Sequence, residues 1–254
     1  MTPAERFRSL HNGPDVLLLP NAWDLGSAKL FESLGYLAFA TTSGGHAMTL
    51  GRADGQVTLD EALEHARWLA SGTDLPLNVD FEDGFARDPA DVAKNVARVA
   101  ATGAAGCSVE DFTRDRNDPI YEIAFAADRV RAAAESKGDL VLTGRAENFI
   151  HGRPDLADTI ARLQAYQAAG ADVLYAPGVA NADDIRTLVA AVDRPVNVLA
   201  LPNVPPIAEL AQLGVRRVSV GGGFARVAMG AVTTAARELR ERGTYEFWNV
   251  ARGS

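Results

Sequence analysis

Carboxylates recur in this chain wherever a short apolar run ends. Asp80 and Glu82 close LPLNVDFED, Glu110 and Asp111 close GCSVED, and Arg145 and Glu147 close LVLTGRAE. If those runs are neighbouring strands, their acids converge on one mouth, where unpaired charges repel strongly. A hard divalent cation relieves that repulsion. Oxygen donors in a chain with four histidines favour Mg²⁺, with Mn²⁺ as the alternative, over zinc. The candidate metal ligands are Asp80, Glu82 and Glu110. Asp80 and Glu82 stand two apart, so on a continuing strand they share a face. The competing structural reading, strongest for Asp83 and Asp111, is that such acids cap the following helices. Arg145 could pair with a substrate carboxylate or steady a developing oxyanion, or simply bridge to Glu110 or Glu147. Arg145 and Glu110 are the candidate catalytic residues.

Other groups fall near the same level. TTSGGHAMTLGRADG, Thr41 to Gly55, reads as a long loop. Thr42 and Ser43 offer hydroxyls, and Gly44 and Gly45 let backbone N–H groups approach a carboxylate. Asn197 lies in PVNVLA, and Gly221 to Gly223 could cradle a phosphate. Cys107 inside GCSVED reads as a small core residue. His46 reads as a loop histidine with proton donation as the alternative, His65 and His11 as surface residues, and His151 as a neighbour of the mouth.

The elements that must position these groups number eight rounds of strand and helix. The strands are VLLLP from Val16, YLAFATT from Tyr36, LPLNVDF from Leu75, GCSVED from Gly106, LVLTGR from Leu140, DVLYAP from Asp172, PVNVLA from Pro195 and RRVSVGG from Arg216. They are nearly continuous apolar runs, as in parallel strands covered by helices. Gly35, Gly72, Gly103, Gly138, Gly170 and Gly214 follow helical segments, where a left-handed cap favours glycine. Thr58 with Glu61 reads as a capping box and Asp88-Pro89 as an N-cap followed by the first helical residue. Eight such rounds predict an α/β fold, a closed (β/α)8 TIM barrel with extra terminal helices, over an open doubly wound sheet, with the active site at the C-terminal strand ends. Residues 1–254 read as one domain, the residues before Val16 forming a helix that closes one end. The tail GTYEFWNV carries Tyr245, Phe247 and Trp248, which are expected to pack against something.

Composition narrows the function classes. The chain has 254 residues, 47% hydrophobic, with a net charge of -8, which argues against nucleic acid and anionic membranes as partners. A single cysteine permits no intrachain disulfide and fits a cytoplasmic location. The N-terminus lacks an apolar signal core, and no apolar run approaches the roughly 20 residues that span a bilayer.

Taken together, PNAWDLGSAKLFESLGY, TTSGGHAMTLGRADG, VDFEDGF, GAAGCSVED, GRAENF, GADVLYAPG and PVNVLA resemble the isocitrate lyase and phosphoenolpyruvate mutase superfamily. The resemblance implies a barrel of the phosphoenolpyruvate/pyruvate type that binds Mg²⁺ and an α-oxycarboxylate. It implies that Asp80 touches the metal, that Glu82, Glu110 and Asp54 hold it largely through water, and that Thr42 and Ser43 grip the substrate carboxylate. It further implies that Arg145 steadies an enolate-like product, that Asn197 borders the substrate, and that the chain forms a homodimer or homotetramer through C-terminal helices, here about 224–254, sometimes exchanged between subunits. Three departures stand out. Glu82 replaces the family's usual Asp. The loop FTRDRNDPIYEIAF lacks the cysteine and histidine of isocitrate lyases and, of the phosphonate handlers' lysine and asparagine, has only Asn117. Ala176 and Pro177 stand where a polar catalytic residue is common. The expected function is therefore a Mg²⁺-dependent lyase cleaving a C–C bond of a small 2-oxo or 2-hydroxy (di)carboxylate, without isocitrate lyase activity. The loop from Phe112 to Phe125 would close over the substrate, with Arg114, Arg116 or Tyr121 replacing the cysteine. The alternatives are a phosphonopyruvate-type mutase or hydrolase, a non-catalytic 2-oxo acid-binding barrel, and a phosphosugar enzyme, against which the acids argue.

Overall fold

A proline breaks the first strand, and the break is where the sheet closes on itself. The computed structural model describes residues 1–251, in which nine short parallel strands form one ladder. They are β1 (Leu17–Leu19), β2 (Asn21–Ala22), β3 (Phe39–Thr41), β4 (Leu77–Asp80), β5 (Gly106–Glu110), β6 (Val141–Arg145), β7 (Val173–Tyr175), β8 (Val196–Leu199) and β9 (Arg217–Ser219). Eight lie in the expected runs, and β2 continues β1 beyond Pro20. Proline has no N–H to give a ladder. At Pro20 the stave changes partner, β1 pairing with β9 and β2 with β3. The result is a (β/α)8 barrel of eight staves, not an open sheet. Asn21 seals the seam: its Oδ1 accepts from the backbone N–H groups of Val220 (3.0 Å) and Gly221 (2.9 Å), and its Nδ2 donates to the Thr41 carbonyl at 2.7 Å.

The helices are α1 (Pro3–Leu10), α2 (Leu25–Ser33), α3 (Ser43–Thr49), α4 (Leu59–Gly72), α5 (Pro89–Ala100), α6 (Ile123–Ser136), α7 (Leu156–Ala168), α8 (Ala182–Ala190), α9 (Ile207–Gln212), α10 (Gly223–Arg242) and α11 (Trp248–Ala251). Their apolar faces, such as Val92, Val96 and Val99 of α5, cover the outside of the staves and form the main core. A second, smaller cluster sits at the barrel's base, where Phe7 of α1 packs on Leu17, Ala105, Val141 and Val173. The N-terminal helix thus closes one end as expected, with Arg8 paired to Asp172 at 2.7 Å.

Local signals work where backbone chemistry is decisive. Thr58 and Glu61 form the capping box of α4, and Asp88 caps α5 ahead of Pro89. Gly35, Gly103, Gly138, Gly170 and Gly214 all have positive φ. Gly72 does not. It is the last residue of α4, and there a Cβ would run into the Leu25 side chain, so its smallness serves packing.

Three expectations need correction. Ser43 to Thr49 is helix α3, not loop, because the Thr42 hydroxyl accepts from Gly45 N–H at 3.2 Å and starts a turn that the glycines do not break. His65 is buried, its ring stacked on His46 at 3.7 Å and its Nε2 3.1 Å from the Trp23 carbonyl. His11 is also buried, inside the base of the barrel. In the aromatic tail Phe247 is half-buried, while Tyr245 and Trp248 are 65% and 58% exposed among the described residues. Glu238 folds the tail onto the end of α10, accepting from the Thr244 hydroxyl (2.7 Å) and from Glu246 and Phe247 N–H. Along α10 itself Val227, Val232 and Leu239 face outward, 70%, 60% and 50% exposed.

Candidate active site

The staves place their charged ends around a cavity of about 410 Å³ bordered by Thr42, Ser43, Gly44, Asp54, Asp80, Arg145 and Asn197. Arg145, last residue of β6, is half-surrounded by acids. Its Nη1 lies 3.3 Å from Asp80 Oδ1 and 3.2 Å from Glu110 Oε2, its Nε pairs with Glu147, and its guanidinium lies 5.2 Å from the centre of the Tyr175 ring. Arg145 therefore bridges to Glu110 and Glu147, as its structural reading expects, and it also borders the cavity. Burial alone would lower its pKa, but Glu147, Glu110 and Asp80 raise it well above the usual range, so it is a permanent cation.

Asp80 ends β4 and accepts from Ser43 N–H at 3.1 Å, which ties α3 to the acids. Glu82 departs from the expectation of a shared strand face, because the strand stops at Asp80 and Glu82 has φ of 47°. Its carboxylate pairs with Arg114 at 3.1 Å. Burial first, and then the charge on Asp80, pushes Glu82 up to about 8. Glu110 is likewise raised well above the carboxylate range by burial, with Arg145 opposing and Glu147 and Asp80 adding.

The neighbouring acids are structural pins and cap no helix. Asp111, buried, accepts from the Tyr166 hydroxyl (2.5 Å), Glu147 N–H (2.8 Å) and Arg162 (3.2 Å). Asp83 takes the Nε and Nη2 of Arg114, both at 2.7 Å. Arg129 on α6, fully buried, donates to the carbonyls of Glu110 (2.8 Å), Arg87 (3.2 Å), Ala86 (2.9 Å) and Asp83, stitching the turn that carries Glu82 to the end of β5. Arg129, Arg162 and Tyr166 escaped sequence reading because they sit on helices, where polar residues usually read as solvated surface; only their place on otherwise apolar faces marks them.

The loop after β5 is folded by a Phe112–Ile120 bridge and by Thr113 N–H bonding to Pro119 O at 2.8 Å. Of its three candidates, Arg114 reaches the acids, Arg116 is exposed, and Tyr121 packs against Arg129 at 4.7 Å and does not border the cavity. His151 stacks on Phe112 and lies 3.3 Å from Glu147. Gly44 lets Asp54 approach, since a Cβ there would meet Asp54 Oδ2 at 3.1 Å. The Thr42 hydroxyl is engaged in capping α3. Asn197 donates to Ser219 (2.9 Å) and accepts from Arg217 (2.9 Å). Gly221 N–H is taken by Asn21, which removes it from any phosphate cradle. Pro177 borders the cavity, Ala176 is buried, and Cys107 lies in the apolar core with its thiol pushed up to about 12 by burial.

Among the described residues no three His, Cys, Asp or Glu side chains are drawn together as a metal cage. The donor chemistry nevertheless fits a hard cation. Asp80, Glu82 and Glu110 offer oxygens, and burial and neighbouring negative charge resist the ionisation of Glu82 and Glu110, a cost that a divalent charge offsets. Mg²⁺ in particular keeps several waters and needs few carboxylates.

The family model described as phosphoenolpyruvate phosphomutase matches residues 7–240. The chain belongs to the isocitrate lyase/phosphoenolpyruvate mutase superfamily. This superfamily chain is 45% identical to a crystal structure from Burkholderia cenocepacia J2315, whose name goes no further than lyase/mutase, with TM-score 0.95 over 98% of this chain and 92% of that one. It is 30% identical over 225 residues to oxaloacetate decarboxylase of Bradyrhizobium sp., covering 85% of this chain and 76% of that one. It is 31% identical over 205 residues to 2-methylisocitrate lyase of Escherichia coli, covering 77% and 69%.

Proposed function

We propose that this superfamily member is a divalent-cation-dependent carbon–carbon lyase acting on a small 2-oxo or 2-hydroxy (di)carboxylate. The observation that carries the reading is Arg145, a permanent guanidinium bordering the cavity and set between Asp80 and Glu110. Decarboxylation or retro-aldol cleavage leaves an electron pair on the 2-oxo fragment as an enolate. A fixed cation at that point favours the charged transition state over the ground state. Asp80, Glu82 and Glu110 would hold Mg²⁺ or Mn²⁺, which when bound supplies Lewis acidity toward the substrate oxygens. Asp80 is itself positioned by Ser43 N–H, and the turn of Glu82 by Arg129.

The proton that quenches the enolate then comes from solvent. Arg114 is the loop group that reaches the acids, and a guanidinium cannot give up its proton near neutral pH. Tyr121 is held against Arg129, off the cavity. The similarity to oxaloacetate decarboxylase and 2-methylisocitrate lyase supports C–C over P–C cleavage, as does Asn117 lying on the exposed part of its loop. The exposed apolar residues Val227, Val232 and Leu239 of α10 and Tyr245 and Trp248 of the tail support a homo-oligomer in which a second copy covers them. The deciding experiment is turnover with Mg²⁺ on oxaloacetate, alkylmalates and phosphonopyruvate side by side. C–C cleavage is expected. Phosphate release from phosphonopyruvate alone would replace this reading by the phosphonate one, and binding without turnover would leave a 2-oxo acid-binding barrel.

A further inference from the structure

Barrels of this kind fill their interior with layers of branched apolar side chains. Here the cavity descends past Asp80 to a polar floor bordered by Asn78, Ser108, Asn197, Ser219 and Arg217. Arg217 is 2% exposed, and among the described residues no carboxylate pairs with it. Its Nε donates to Asn197 Oδ1 at 2.9 Å and its Nη2 to Thr143 Oγ1 at 3.1 Å, while Nη1 lies 3.4 Å from His11 Nε2. His11 Nδ1 is 2.8 Å from the Phe7 carbonyl, which places its proton there and leaves Nε2 as an acceptor. Burial, and then the charge on Arg217, lowers His11 to about 3, so this partner is neutral too. A guanidinium has five N–H donors. Three are engaged by these neutral groups, which leaves two, and Arg217 borders the cavity. Arg129 makes the contrast: it is equally buried, but four backbone carbonyls surround it and it borders no central cavity. On the same cavity wall Asn78 has its Oδ1 buried without a partner, and a turn of that amide would present its NH₂ instead.

We infer that the floor of the barrel is an anion subsite in which Arg217, oriented by Asn197 and Thr143, takes the far carboxylate of a dicarboxylate substrate. The inference rests on the reading of the mouth given above, where the reacting 2-oxo or 2-hydroxy carboxylate sits at Asp80 and Arg145. Asn78 stands two residues before Asp80 on β4, about 7 Å at the rise of a strand, which a short dicarboxylate spans. A substrate with an apolar end would leave a buried charge unpaired, and sites built around such groups reject it.

The test is calorimetric titration of the Mg²⁺-loaded full chain with 2-oxoglutarate and 2-oxopentanoate, which differ in one terminal carboxylate. Oxalate, titrated separately into the wild type, reads the mouth alone. The wild type should prefer 2-oxoglutarate by roughly thirtyfold, the effect of a desolvated charge pair. Asn197→Asp, nearly isosteric, gives Arg217 an internal counter-charge. This variant should melt at a higher temperature, and its 2-oxoglutarate affinity should fall to that of 2-oxopentanoate. Arg217→Gln should lose the same preference. Equal affinities in the wild type, or a preference that survives in Asn197→Asp, would overturn the subsite. Stabilisation of the wild type by chloride with no preference between the two acids would put a free anion on the floor and overturn it equally. Failure of oxalate to bind while the preference persists would strike the reading of the mouth and leave the floor standing.

Discussion

Replacing Arg129 by lysine keeps the charge and removes the geometry. The arginine spreads its donors over three nitrogens, serving Glu110 O at 2.8 Å, Ala86 O at 2.9 Å, Arg87 O at 3.2 Å and the Asp83 carbonyl, with Tyr121 stacked below at 4.7 Å. An ammonium is a single point and can serve two of those carbonyls at most from one position. Leaving the other two buried and unpaired costs about 1–3 kcal/mol each, and a weaker contact with Tyr121 adds up to about 1 kcal/mol. Arg129→Lys should therefore cost about 2–7 kcal/mol in urea unfolding, a large share of the roughly 5–15 kcal/mol that holds a typical protein together. The carbonyls released belong to the turn behind Glu82, so the stabilisation gained on adding Mg²⁺ should shrink as well. Both quantities come from urea melts with and without the metal. A loss below about 0.5 kcal/mol, or an unchanged metal increment in a clearly destabilised variant, would refute the idea that Arg129 positions the acids.

Asp80→Asn should abolish Mg²⁺-dependent thermal stabilisation while the protein still melts cooperatively; unchanged metal affinity would refute its place among the ligands. His65 is lowered to about 4 by burial and by His46, against an ordinary value of 6.5. Its neutral ring contributes stability that is fully present above pH 6.5 and lost as pH falls toward 4, by up to about 1.4 kcal/mol per pH unit. His65→Gln should flatten that acid limb in pH-dependent melts, and an unaltered slope would show that other groups set it. Sedimentation at micromolar concentration should show a dimer or tetramer; a monomer would mean that the apolar residues of α10 stay solvated.

What the sequence disclosed followed from chemistry that acts locally. Parallel strands announce themselves as apolar runs, and Asp80, Glu110 and Arg145 stand out because each ends one. Thr58 with Glu61 and Asp88 with Pro89 mark helix starts by hydrogen bonds that close within three residues. Groups whose meaning depends on distant partners stayed hidden. Glu82 was misplaced because nothing in VDFED shows that the backbone turns left-handed just after Asp80. Gly44 and Gly45 disguised α3, since low helix propensity hid a turn that Thr42 starts, in which a Cβ at Gly45 would press on Trp23. In RRVSVGG no local signal tells which arginine enters the barrel. Arg216 turns to the carbonyls of His11 and Gly13, while Arg217 points inward.

The seam at Pro20 also sets a timetable. The bond from Gly221 N–H to Asn21 spans 200 residues, and β1 has no ladder partner until β9 exists. During synthesis the first stave must wait for nearly the whole chain to emerge, an open edge exposed throughout. Contacts of such high sequence separation slow folding, because the chain's entropy is lost before they form. The short, proline-interrupted form of that stave limits what a stray strand could grip during the wait.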